Sequence, residues 1–232
     1  MSRINRRSFL RRSGAVATSP LIIGATAAKT ATLVLDGNDA IASARPVLKA
    51  VHALQMALSQ AGYGVRRAQT LQQADKAGLC IVVAASGFAG VAGLLRAAHL
   101  QPPTAAESLV LFETSPNVIV ACGADVRGLL YAVYELADRV IHGAPLRFPQ
   151  AIVEQPANAV RSVMRQFTSE VYDKPWFYDR AMWPRYFAML AANRFNRINL
   201  TLGLGYDMLS KVADPYLVFA YPFLLAVPGY DV

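Results

Sequence analysis

The chain has 232 residues, 54% hydrophobic and 16% charged, which suits a well-buried globular protein and excludes a disordered one. Its formal charge of +8 points first to nucleic acid, but residues 1–28 carry five arginines and no acid, and the remaining eighteen basic and fifteen acidic residues leave only +3. Those remaining cations are scattered, with no basic stripe interleaved with aromatics, so no nucleic-acid partner is expected.

The amino terminus reads Asn5-Arg6-Arg7-Ser8-Phe9-Leu10-Arg11. It resembles the twin-arginine export signal, with Asn5 in place of the usual Ser or Thr and Arg11 in place of Lys. A weakly apolar run follows from Gly14 to Gly24, broken by Pro20. It falls short of the roughly 20 apolar residues that span a bilayer, so no stable membrane span is expected. Ala25-Thr26-Ala27 fits a cleavage site. Residues 1–28 are therefore read as a signal peptide, which implies export machinery as a partner through Arg6 and Arg7 and a periplasmic or secreted product.

Beyond it, Ala31 to Leu35 reads as a short strand closed by Asp36-Gly37-Asn38. Val47, Val51, Leu54 and Leu58 recur at helical spacing, which predicts a helix over 44–60 ended by Gly62 and Gly64. A short strand is predicted at Val65 to Gln69. Leu79 to Ala85 is a continuous apolar run, as in a strand covered on both faces. A short helix from Val91 to Leu100 stops at Gln101-Pro102-Pro103. Leu109 to Glu113 and Val118 to Cys122 form a predicted hairpin around Ser115-Pro116-Asn117. Gly123 and Asp125 then hand over to an amphipathic helix from Val126 to Ile141. Cys80 and Cys122 each lie in an apolar strand-like run and are expected as buried free thiols. No cysteine or histidine spacing points to a metal site, and no phosphate-binding or dinucleotide motif is complete, so no cofactor is expected.

Residues 143–157 hold several prolines and are read as a linker between two domains, 30–142 and 158–232. The second begins with a strand at Val160 to Gln166, a helix from Asp179 to Asn193 and a strand at Arg197 to Leu202. Strand, helix, strand with the exit Gly203-Leu204-Gly205 implies a parallel pair. Residues Asp207 to Val232 have no clear period.

The segment Gly123-Ala124-Asp125-Val126-Arg127-Gly128-Leu129-Leu130-Tyr131-Ala132 resembles the end of the accessory domain that precedes the catalytic barrel in β-N-acetylhexosaminidases and α-glucuronidases. The resemblance covers about residues 30–205. It implies an α/β fold: a small sheet-plus-helices accessory domain followed by the first βαβ unit of an incomplete (β/α)8 barrel. It implies a glycoside hydrolase with a carbohydrate substrate. Arg161 stands where the hexosaminidases carry a sugar-binding arginine, and a guanidinium's fixed fork of donors suits two hydroxyls. Arg165 is an equal candidate, Asn199 is a candidate sugar-bonding side chain, and Trp176 a candidate stacking platform. The second strand carries Asn199-Leu200-Thr201-Leu202 where the hexosaminidases have histidines.

Glycoside hydrolysis needs two carboxyl groups at a set separation. In the resembled enzymes they stand on later barrel strands, so the 232-residue chain alone is expected to be inactive. Glu170 and Asp173 follow the first strand of the second domain, and nothing pairs them as acid and base. The alternative reading is a non-catalytic carbohydrate-binding or interaction module.

Overall fold

The computed structural model describes residues 29–202 apart from 76, 168 and 169, and leaves out the side chains at 166, 167, 170–172, 174, 201 and 202. Arg6, Arg7, Gly203, Gly205 and Asp207 lie outside the described residues, as do the side chains of Glu170 and Thr201.

The larger sheet is built from β1 (Lys29–Val34), β2 (Tyr63–Ala68), β3 (Leu79–Ala85), β4 (Leu109–Ser115), β5 (Val118–Gly123) and β6 (Ile152–Glu154). Its order is β2-β1-β3-β5-β4-β6, with β2, β1, β3 and β5 parallel and β4 antiparallel to both its neighbours. Strand period 2 sorts the side chains into two cores. Leu33, Ile81, Val83, Leu111, Ile119 and Ala121 face α1 (Arg45–Gln60) and α3 (Val126–Ile141). Val34, Val82, Val110, Phe112 and Val120 face α2 (Ala89–Ala97). The long apolar run of β3 thus serves both faces at once. Helix α1 buries Val47, Val51, Leu54 and Leu58, the stripe its sequence spacing predicts.

The two cysteines are free and buried on neighbouring strands. Cys80 stands opposite Val118, and Cys122 opposite Ala84, four residues along the same pair. At about 3.3 Å per residue they are about 13 Å apart, too far for a disulfide. Burial raises both thiols, Cys80 to about 11 and Cys122 to about 12.

A second, two-stranded parallel sheet joins β7 (Ser162–Phe167) to β8 (Arg197–Leu202). Between them run α4 (Glu170–Phe177) and α5 (Met182–Ala192). Helix α5 packs toward α3, with Leu190 buried and Phe187 and Met189 half exposed. Among the described residues no helix is long and apolar enough to cross a membrane.

Two sequence expectations need correction. The stretch 143–157 is not purely a linker, because Ile152–Glu154 pairs with β4 as the edge of the larger sheet. Three residues between prolines are too few to show a period. The stretch between the strand at Val160 to Gln166 and the helix predicted from Asp179, where no element is predicted, contains α4 with Pro175 inside it; proline is a poor interior helix residue, so the pattern hides the helix.

The glycines around α3 are set by close approach. A Cβ on Gly123 would collide with the backbone nitrogen of Leu129, and one on Gly128 with the carbonyl oxygen of Ser108. Alanine normally stabilises a helix by about 0.5–1 kcal/mol over glycine. The Gly93→Ala exchange in α2, where nothing lies within 4 Å of the new methyl, is expected to give that gain. Gly128→Ala is expected to reverse the sign and cost about 1–3 kcal/mol. Urea unfolding of the two variants reads the difference.

Candidate functional site

The described polar side chains converge where the larger sheet meets the N-terminal ends of β7 and β8. Asp125 caps α3, with Oδ1 accepting from the Gly128 amide at 2.8 Å. Its other oxygen accepts from the Glu107 amide at 2.9 Å. One carboxylate therefore starts the helix and holds the loop before β4. Gly128 lets that loop lie against the helix.

The loop presents Glu107, 8% exposed and held at φ +63°. Left-handed backbone costs a non-glycine residue roughly 1–2 kcal/mol. A glycine there would relieve the cost but remove the carboxylate. Glu107 Oε1 accepts from Arg127 Nη1 at 2.8 Å and from Asn196 Nδ2 at 2.9 Å. Oε2 accepts from Arg161 Nη2, and from the Tyr131 hydroxyl at 3.3 Å. Burial alone would raise the Glu107 carboxyl, but the bonds from Asn196, Arg161 and Arg127 outweigh it and hold it at about 2. It is a fixed anion and no general acid near neutrality, where that role needs a raised pKa.

Arg161 is the opposite pole. Its Nε donates to the Arg194 carbonyl at 2.6 Å and its Nη1 to the Asn158 carbonyl at 2.8 Å. Arg194, also at φ +63°, pairs with Glu135 at 3.0 Å and Glu154 at 3.2 Å. Both guanidinium groups lie over the Tyr131 ring, Arg161 at 6.0 Å and Arg194 at 5.7 Å from its centroid. Asn196 closes the knot: its Oδ1 accepts from the Arg161 amide at 2.9 Å, and its Nδ2 also donates to the Ala159 carbonyl at 2.8 Å. Open grooves flank the knot, one along Phe187, Phe195 and Arg127, the other along Val153, Gln155 and Pro156.

The four expected site residues do not converge. Arg161 is engaged with Glu107 and two carbonyls. Arg165 and Trp176 do meet, the guanidinium 4.1 Å from the ring centroid. Trp176 also donates to Asp173 Oδ1 at 3.0 Å and packs 5.7 Å from Trp183. Asn199 is exposed and stands opposite Met164, one residue out of phase with Arg165. By strand alternation Asn199 and Arg165 therefore occupy opposite faces of the pair. Sequence reasoning missed Glu107, Tyr131, Arg194 and Asn196. The available signal was Asn193-Arg194-Phe195-Asn196-Arg197, a polar cluster directly before an apolar strand. Among the described residues no group of acids, histidines and cysteines could hold a metal ion.

No protein-family model and no curated protein matches the chain. Solved structures do. One is a GH138 enzyme targeting pectin rhamnogalacturonan II, with a TM-score of 0.56 and 20% identity, over 86% of this chain and 27% of that one. Another is a GH115 4-O-methyl-α-glucuronidase with specificity for decorated arabinogalactans, with a TM-score of 0.56 and 14% identity, over 75% of this chain and 25% of that one. The likeness is one of fold: a mixed α/β fold found in glycoside hydrolases. The chain spans about a quarter of the length of either enzyme.

The lowered Glu107 carboxyl gives a signed pH dependence. Its contribution is fully present above the unfolded value near 4.5 and is lost as pH falls through about 2. The difference is on the order of 3 kcal/mol. Urea unfolding at pH 5 and pH 2 is expected to show this loss in the native chain and not in Glu107→Gln, which starts out destabilised.

Proposed function

We propose that the chain is the N-terminal part of an exported glycoside hydrolase of the α-glucuronidase type, acting on uronate-bearing polysaccharide. In this reading the larger sheet and its helices form an accessory domain, and β7, the helices after it and β8 open a (β/α)8 catalytic barrel. Residues 1–28 are its twin-arginine signal. The observation that carries the reading is the order of a six-stranded α/β unit followed by a parallel strand pair, together with a fold likeness to the GH138 enzyme that covers 86% of the chain. The glucuronidase in the second match and the absence of the hexosaminidase histidines beside Asn199 favour the glucuronidase type.

Asn199 is the side chain assigned to sugar contact, since it is exposed on a face with a half-open neighbour, Met164. Arg161 is assigned to holding the strands in place. The Arg165–Trp176 pair is assigned to the wall of the cleft, because one face of the indole is already covered by the guanidinium. The 232-residue chain is inactive in this reading, since no described carboxylate pair suits acid and nucleophile.

The test is sugar release from pectin and arabinogalactan by the protein expressed from its natural gene, beside the 232-residue chain alone. Uronic acid release by the first and none by the second is the expected result. Turnover of any aryl glycoside by the 232-residue chain overturns its inactivity. Retention on polysaccharide without release by either protein replaces the enzyme with a carbohydrate-binding module. In an active protein, Asn199→Ala is expected to raise KM severalfold and leave the unfolding midpoint unchanged, whereas Arg161→Ala lowers the midpoint.

A further inference from the structure

Among the described residues β7 and β8 pair only with each other, and a lone pair of parallel strands has weak means of fixing its register. Parallel strands are stable chiefly where sheets are covered on both faces. Here Val163 and Ile198 are half-buried on one face, while Met164 and Asn199 are exposed on the other and Leu200 is 43% exposed, so side-chain burial gives only a shallow bias between registers. A one-residue slip would exchange the faces of the pair, moving Asn199 to the side that Arg165 now occupies.

The observed register begins at Ser162 opposite Arg197. The residues just before these two, Arg161 and Asn196, are the ones drawn into the Glu107 knot. Arg161 accepts on its carbonyl from the Asn196 amide at 3.0 Å and the Arg197 amide at 3.3 Å. Asn196 Oδ1 accepts from the Arg161 amide at 2.9 Å. Both side chains then reach the same carboxylate, Arg161 at Oε2 and Asn196 at Oε1. A slip of one residue would move one of them by about 3.3 Å and break its bond to a rigidly held anion. Movement of the Glu107 carboxylate is opposed by Arg127, which also donates to Oε1, and by the bond of the Glu107 amide to Asp125.

We propose that Glu107, from outside the strand pair, sets the register of β7 against β8 and so decides which side chains occupy each face. It is a positioning residue, and the inference stands whether or not the chain belongs to a glycosidase.

Cross-linking tests this directly. Met164→Cys with Asn199→Cys places thiols on partners about 4.8 Å apart across the native pair, within reach of a disulfide. Met164→Cys with Leu200→Cys reports a slip instead, because those side chains share a face only after it. Both probe sets are exposed, whereas Cys80 and Cys122 are buried, and their protection from a maleimide reports that the larger sheet is folded. Oxidation is expected to link the native probe pair nearly completely with Glu107 intact. In Glu107→Ala the native link should fall at least fivefold and the slipped link appear. The Asn196→Ala exchange cuts the knot from the strand side, leaves the larger sheet's own contacts in place, and is expected to act the same way. If either variant keeps full native linking and gives no slipped product while Cys80 and Cys122 stay protected, the proposal fails. If Glu107→Ala exposes the native cysteines, Asn196→Ala decides alone.

Discussion

A single carboxylate removed from water organises the junction of this molecule. Taking Glu107 out of solvent is costly unless donors replace the lost hydration. The chain supplies them from three places: Arg127 and Tyr131 on the helix after β5, Arg161 before β7, and Asn196 before β8. Removing any one leaves the charge short of partners in a poorly hydrated site. The cost of burying the charge thereby becomes a requirement that all these segments meet in one arrangement. The left-handed backbone at Glu107 and Arg194 fits this account, since glycine would suit either backbone but neither role.

The segment Gly123-Ala124-Asp125-Val126-Arg127-Gly128 takes its meaning from the same point. Gly123 and Gly128 admit backbone where a methyl would collide. Asp125 divides its carboxylate between its helix and the loop that carries Glu107, and Arg127 donates to the Glu107 carboxylate. What reads in sequence as a motif at a helix start is half of a joint. The other half includes Asn196, 89 residues from the Glu107 it meets.

That separation explains which parts were legible. The buried runs of β3 and β5, the apolar stripes of α1 and α3, the Asn117 turn and the Asp125 cap are local patterns, and each was readable because its cause lies within a few residues. The edge strand at Ile152–Glu154 was not, since its reason for being a strand is the exposed edge of β4. Helix α4 was masked by Pro175. In the site, Arg161 stood out by resemblance, yet its partners did not, because nothing within reach of Glu107 in sequence marks it as an acceptor. The separation of Asn199 from Arg165 was implicit in strand alternation, but only the register of the pair makes it visible.

Chain order gives the joint a temporal meaning. Every strand of the larger sheet, its edge at Ile152–Glu154 included, precedes Arg161. During synthesis at about 5–20 residues per second, the 42 residues from Glu154 to Asn196 take about 2–8 seconds, time for a domain to fold as a unit. A ribosome would thus deliver Arg161 close behind the last strand of the larger sheet, and Asn196 seconds after it. The contact between Glu107 and Asn196, 89 residues apart, need not wait on a random search by an unfolded chain; vectorial synthesis turns the loop-closure problem into capture of one segment after another by the larger sheet.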